Sequence, residues 1–296
     1  MPHATQPFPI PVVAAAATAV HPPEPAEVAP EYLVMPQDMT TFAAPRLPEQ
    51  ADPALLANVI RRLRDLQARM AATDFAEATR VTEDLRRWSA AERALVGDLL
   101  GFGEVSAYVA PINAPTHWRV QETAFAGLWR VLALDAAEVV AEDFLQAGAI
   151  PPLLNATMQA ASRPDLPLPD FSPDIMNAPA LAHELLAQSR QHAPDAPAHV
   201  INLTLLPVNV ADLETLHHWL GHREVSILSR GYGNCRITST RLLNVWWAQY
   251  FNSMDTLILN TLEVTPMPEA ALAAREDYAD TLTRLAEHLH DVEATA

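Results

Sequence analysis

The sequence contains no lysine. All 19 of its basic residues are arginine, against 36 acidic ones, which leaves a formal net charge of -17 over 296 residues. With abundant alanine and proline, this reads as a GC-rich coding bias and not as an adaptation to phosphate. So negative a field repels nucleic acid and anionic lipid, which sets both aside as partners and favours a protein or segment with a basic face. Cysteine is almost absent too, Cys235 being the only one. A lone thiol excludes an internal disulfide and any all-cysteine zinc or iron–sulfur site within one chain, and it fits a reducing compartment. Long apolar runs are missing. Residues 12–20 reach about half the length of a bilayer span, with Pro9 and Pro11 interrupting the approach and His3 the only candidate positive residue ahead. No signal peptide, transmembrane helix or direct membrane insertion is expected, and the location expected is cytoplasmic.

Apolar residues make up 50% of the chain, enough to bury a sizeable core. Proline punctuates it. Residues 1–51 are too rich in proline for a regular element and read as an extended arm. Two apolar islands in it, residues 8–13 and 32–42, are candidates for docking on the body or on a partner. A second proline-rich stretch, 153–173, reads as a linker. Between and after these lie two segments, 52–152 and 174–292.

Each segment reads as mixed helix and strand. Asp52 and Pro53 open a helix with an apolar stripe from Leu55 to Met70. Residues 79–88 alternate weakly, as a strand does. Ser89 and Glu92 form a capping box for a helix that Gly101 ends. Residues 104–110 form a strand, 119–134 hold a strand with a turn inside, and 139–150 fit strand or helix. In the second segment, 178–191 read as a helix, 199–206 as a strand, Asn209 to Gly221 as a capped helix, and 224–229 and 256–264 as strands. Residues 267–290 read as a closing helix.

The two segments align with each other. Leu100-Gly-Phe-Gly-Glu-Val-Ser106 lies over Leu220-Gly-His-Arg-Glu-Val-Ser226 at an offset of 120 (220 − 100), and both caps match at the same offset. Beyond a three-residue gap, Arg119 meets Arg236, Trp129 meets Trp246 and Pro151 meets Pro268, at 117 (246 − 129). The expected fold is α+β: two tandem copies of one α/β unit with mainly antiparallel strands, preceded by the arm. The gap places the divergence of the copies in residues 110–118 against 230–235, and loops are where duplicated units part in function.

The rarest residue types gather in 228–263. Gly231 and Gly233 lack the spacing of a dinucleotide loop and the lysine of a phosphate loop, so a hairpin connection is the simpler reading. Cys235 is either a small buried hydrophobe or a thiol activated by Arg236. Trp246 and Trp247 point to opposite faces of an extended strand, one toward the core and the other a candidate exposed anchor, unless both pack inside. His217, His218 and His222 have a spacing that could offer metal nitrogens, as do His288 and His290. No carboxylate or cysteine completes a ligand set, so they read as surface histidines. No serine–histidine–acid or paired-carboxylate pattern appears, and the chain reads as non-enzymatic.

Residues 227–237 (Ile-Leu-Ser-Arg-Gly-Tyr-Gly-Asn-Cys-Arg-Ile) and 244–264 (Asn-Val-Trp-Trp-Ala-Gln-Tyr-Phe-Asn-Ser-Met-Asp-Thr-Leu-Ile-Leu-Asn-Thr-Leu-Glu-Val) resemble the hydrogenase expression/formation protein family HupH/HyaF. So do Phe-Pro-Ile-Pro-Val-Val (8–13) and Tyr-Leu-Val-Met-Pro-Gln-Asp-Met (32–39). In that family the C-terminal domain occurs in two tandem copies. Here residues 110–131 depart from the motif, lacking its Gly-Asn-Cys and its double tryptophan. The resemblance implies an accessory protein without a cofactor, which attends the iron–sulfur small subunit of a membrane-bound nickel–iron uptake hydrogenase before export. A basic, twin-arginine-bearing client would suit an acidic chaperone. The partner-binding candidates are Arg230, Tyr232, Asn234, Cys235, Arg236, Trp246, Trp247, Tyr250, Asn252 and Asp255. The alternative is an iron–sulfur or metal carrier using Cys235 with ligands from a partner.

Overall fold

A computed structural model describes residues 42–46, 51–111, 114–193, 195–222, 224–231 and 233–295. All of them belong to one of two compact units, Leu33–Ala296. The expected extended arm, 1–51, and its two apolar islands fall, apart from residues 42–46 and 51, outside the described residues, as does Tyr232.

The first copy opens with α1 (Pro53–Ala71), where Asp52 accepts from the N–H groups of Ala54 and Leu55. Strand β1 (Thr82–Asp84) and helix α2 (Ala90–Leu100) follow, then a meander of β2 (Val105–Val109), β3 (Thr116–Glu122), β4 (Leu128–Asp135) and β5 (Val140–Ala147). The second copy repeats the order: α4 (Ala178–Gln191), β6 (His199–Asn202), α5 (Val210–Leu220), β7 (Val225–Ser229), β8 (Asn234–Ser239), β9 (Val245–Phe251) and β10 (Leu257–Val264). Helix α3 (Pro152–Ala161) lies between the copies and α6 (Arg275–Thr295) closes the chain.

The strands form one ten-stranded antiparallel sheet in the order β1-β5-β4-β3-β2-β7-β8-β9-β10-β6, a palindrome of the two copies. At its centre β2 pairs with β7, and Ala107 stands opposite Ile227. Those residues are also equivalent at the repeat offset of 120 (227 − 107), so a local two-fold axis passes between them. The bonds flanking the axis obey it: the Ala110 N–H donates to the Glu224 carbonyl at 2.8 Å, and the Arg230 N–H to the Glu104 carbonyl at 3.1 Å.

Equivalence extends to single contacts. Gly101 and Gly221 end their helices at φ 59° and 58°; Gly127 and Asn244 share positive φ, as do Glu138 and Asp255. The Trp129 indole donates to the Gly148 carbonyl at 2.9 Å, and Trp246 to that of Thr265 at 3.1 Å. Both capping boxes form. The tandem duplication expected from the offsets is therefore present in the backbone and its hydrogen bonds.

Both faces of the sheet are covered. On one, α1, α2 and α6 pack on the first copy's strands through Leu63, Leu99, Leu145 and Leu285. On the same side of the second copy, α4 and α5 pack through Leu185, Trp219, Trp247 and Leu262. The opposite face carries a core shared by both copies: Val131, Trp129, Ile227, Ile237 and Trp246, beneath Leu154 and Met158 of α3 and the segment from Met267 to Ala273.

Several elements differ from expectation. The stretch expected as linker holds α3, begun by the two prolines at its N-terminus, where no backbone donor is needed. Leu166, further along it, is buried in the second copy's core. Residues 79–88 give only the short strand β1, and 199–206 only the four residues of β6, since the chain turns at Leu205 back to the Asn202 carbonyl. The closing helix starts at Arg275, after the turn Glu269–Ala271, and packs on α1 of the first copy.

Candidate partner-binding site

Alternation along β8 and β9 divides the predicted residues between the two faces. Cys235, Tyr250 and Trp246 turn to the shared core; Arg236, Gln249 and Trp247 turn to the helical side. The tryptophans thus point opposite ways as expected, yet both are buried, at 0% and 3% exposure. The surface-anchor reading of the pair is corrected, because helices lie over each face. The Trp247 indole donates to Asn260 Oδ1 at 2.7 Å and is fixed as a core residue.

Arg236 does not activate Cys235, since it lies across the sheet, stacked 4.3 Å from the centre of the Phe251 ring. Cys235 instead joins a polar cluster. The Tyr250 hydroxyl hydrogen-bonds the Cys235 thiol and the Glu263 carboxyl group. Thr261 Oγ1 donates to Glu263 Oε1 at 3.0 Å. Burial pushes the Cys235 thiol up to about 12 and raises Tyr250 and Glu263 as well. At neutral pH the thiol keeps its proton and is neither a ready nucleophile nor a ready metal ligand. No sequence motif marks this cluster. Its signal was the repeat itself: at offset 117 the counterparts of Cys235, Tyr250, Thr261 and Glu263 are Trp118, Ala133, Phe144 and Gln146.

The remaining candidates gather at one end of the sheet, on the β7–β8 and β9–β10 hairpins. Arg230 and Asp255 are exposed, Asn234 and Asn252 half-buried. Asn234 Nδ2 donates to Asp255 Oδ1 at 3.3 Å and ties the tips together. Asn252 shapes its own turn, Oδ1 accepting from the N–H groups of Met254 and Thr256 at 2.9 Å each. Asp255 sits at φ 55° in that turn. Two residues not singled out beforehand complete the rim: Met254, 83% exposed, and Ile258, 56% exposed. An apolar pair thus stands exposed among polar groups at this end of the sheet. Among the described residues no helix is long and apolar enough to cross a membrane.

The chain is thus a duplicated α+β module whose second copy carries a partly apolar rim and a buried polar cluster. The family model for the C-terminal conserved region of the HupH hydrogenase expression protein matches it twice, over residues 51–163 and 175–292. The chain is 40% identical over 262 residues to the hydrogenase expression/formation protein HupH of Rhodobacter capsulatus, covering 88% of this chain and 90% of that one. It is 44% identical over 265 residues to HupQ of Azotobacter chroococcum, covering 87% and 90%. To the hydrogenase-1 operon protein HyaF of Escherichia coli it is 36% identical over 233 residues, covering 77% and 79%. A solved structure of HupH from Thiobacillus denitrificans matches at 29% identity and a TM-score of 0.37, covering 39% of this chain and 96% of that one. The chain belongs to the HupH family of hydrogenase expression/formation proteins.

Proposed function

We propose that this protein is a non-enzymatic accessory factor in the maturation of a membrane-bound nickel–iron uptake hydrogenase, and that it holds the iron–sulfur small subunit before export. The names of the relatives support the process. The observation that carries the binding role is the rim of the second copy, where exposed Met254 and Ile258 stand beside Arg230, Asn234 and Asp255. An apolar centre supplies affinity, and the net charge of -17 steers a basic client toward it. The carrier reading based on Cys235 finds less support, because its thiol is covered and protonated.

Co-purification of small subunit, bearing its export signal, on tagged full-length protein tests this. Met254→Asp with Ile258→Asp is expected to lower capture more than tenfold at unchanged melting temperature, as hot-spot losses of about 2 kcal/mol imply. Val139→Asp with Val140→Asp, on the equivalent first-copy hairpin, is expected to leave it intact. Undiminished capture by the first variant, or loss with the second alone, would remove the rim from the interface.

A further inference from the structure

The second copy carries a feature that the client-binding role does not use. His217 lies in the last turn of α5, and Gly221, at φ 58°, reverses the chain behind it. The reversal returns His222 onto His217, so that the two Nε2 atoms meet in direct contact. The ring centroids are 4.2 Å apart at 67°. Behind the pair stands Trp247, its ring 5.5 Å from that of His217 and 6.2 Å from that of His222. The indole is held by Asn260, so this wall of the site is rigid. Arg241 passes at the other side, its stem beside Gly221.

Two neutral imidazoles facing through Nε2 can share one proton, and the second nitrogen then presents a lone pair. The same geometry is half of a metal site. Borderline dications such as Cu²⁺, Ni²⁺ and Zn²⁺ take imidazole nitrogen at about 2.0–2.1 Å, and ligands on neighbouring turns of one short segment chelate without refolding the chain. The arrangement is peculiar to the second copy. At offsets of 120 and 117 the counterparts of His217, His222 and Trp247 are Gly97, Phe102 and Arg130, none of them a metal ligand.

We propose that His217 and His222 form a two-imidazole chelate for a borderline transition-metal dication, with water or a partner's side chain completing the shell. The site is independent of the hairpin rim, and its test does not depend on any client. Metal-stripped full-length protein would be titrated with CuCl₂ while tryptophan emission and melting temperature are followed. Saturable one-to-one quenching is expected, since the ion would lie against the Trp247 ring. A matching rise in melting temperature should accompany it. His222→Asn and His217→Gln are each expected to weaken binding more than about tenfold, beyond the loss of a supporting group. His218→Asn and His290→Asn should change nothing. His222 lies outside the helix on exposed chain, so its variant should fold, and circular dichroism would verify that. Absence of saturable quenching would overturn the assignment, as would equal affinity in the His217→Gln/His222→Asn double variant. Quenching abolished by His218→Asn or His290→Asn would also overturn it.

Discussion

The two copies share a backbone down to single hydrogen bonds, yet they solve the same buried positions with different chemistry. On the helical face the first copy places Arg130, bonded to Asp143 at 3.1 and 2.9 Å. The second places Trp247, bonded to Asn260 at 2.7 Å. The partners are equivalent at offset 117 (247 − 130 and 260 − 143). An ion pair in one copy thus becomes a neutral indole–amide pair in the other. Gly97, whose added Cβ would stand 3.4 Å from the Arg130 guanidinium, leaves room for that long side chain, and its counterpart is His217. On the other face the direction reverses: the first copy is apolar and the second polar around Cys235. A fold held by backbone geometry and turns tolerates such exchange, provided each buried polar group keeps a partner.

The largest expected difference tests that exchange. Asp143 has a side chain only 3% exposed, and Arg93 approaches it as well as Arg130. Asp143→Ala leaves Arg130 charged and unpaired inside the protein, at a cost of about 3–5 kcal/mol. Asn260→Ala leaves only the neutral Trp247 N–H without its acceptor, a loss of about 1–3 kcal/mol. Urea denaturation of both variants should rank them in that order. Equal losses would mean that the ion pair is relieved by water in a way the geometry does not show.

Next in size is a carboxylate that only the first copy buries. Glu122, 6% exposed, accepts from the Gly127 N–H at 3.1 Å, and its counterpart is Ser239. Desolvation, opposed by backbone N–H groups and reinforced by Glu104 and Asp277, raises it from 4.5 to about 7. The folded state therefore binds a proton more tightly than the unfolded chain. Its contribution is fully present below about pH 4.5 and is lost as pH rises through 7. Glu122→Gln keeps an acceptor for Gly127 and removes the titration. It is expected to stabilise the protein by up to about 3 kcal/mol at pH 8 and to flatten the stability curve between those limits. A wild-type curve with no slope there would show that Glu122 is more hydrated than its burial implies.

The duplication, the caps and the turns were legible because they depend on local chemistry. Ser89 with Glu92, Asn209 with Asp212, and glycine at 101 and 221 each specify their structure within four residues. The opposite orientation of Trp246 and Trp247 was legible for the same reason, as strand period alone decides it. What lies above each face is not local. Burial of Trp247 depends on α4 and α5, and the shared core of Trp246 depends on α3 and the segment after β10. The joining of the copies across Ala107 and Ile227 likewise leaves no trace in composition. The buried cluster at Cys235 stayed hidden because its members come from three strands and match no known spacing.

The smallest expected difference concerns the helix caps. Ser89 Oγ accepts from the Glu92 N–H at 3.2 Å, and Asn209 Oδ1 from the Asp212 N–H at 2.8 Å. Removing either hydroxyl or amide by alanine should cost about 1 kcal/mol. The acids of the two boxes are less alike. Glu92 accepts from the Ser89 N–H and from Asn58 Nδ2. Asp212 is 0% exposed and accepts from Asn209 and also from the N–H groups of Met176, Asn177 and Ala178 at the start of α4. Burial alone would raise Asp212, but these four backbone donors outweigh it and hold the carboxyl low. One acid therefore caps two helices in the second copy. Ser89→Ala and Asn209→Ala should be nearly equal by thermal denaturation, while Asp212→Asn should exceed Glu92→Gln by at least the worth of one charged hydrogen bond, roughly 1.5 kcal/mol. If the two acid variants matched, the anchoring of α4 by Asp212 would contribute nothing, and the difference between the copies would be confined to their strands.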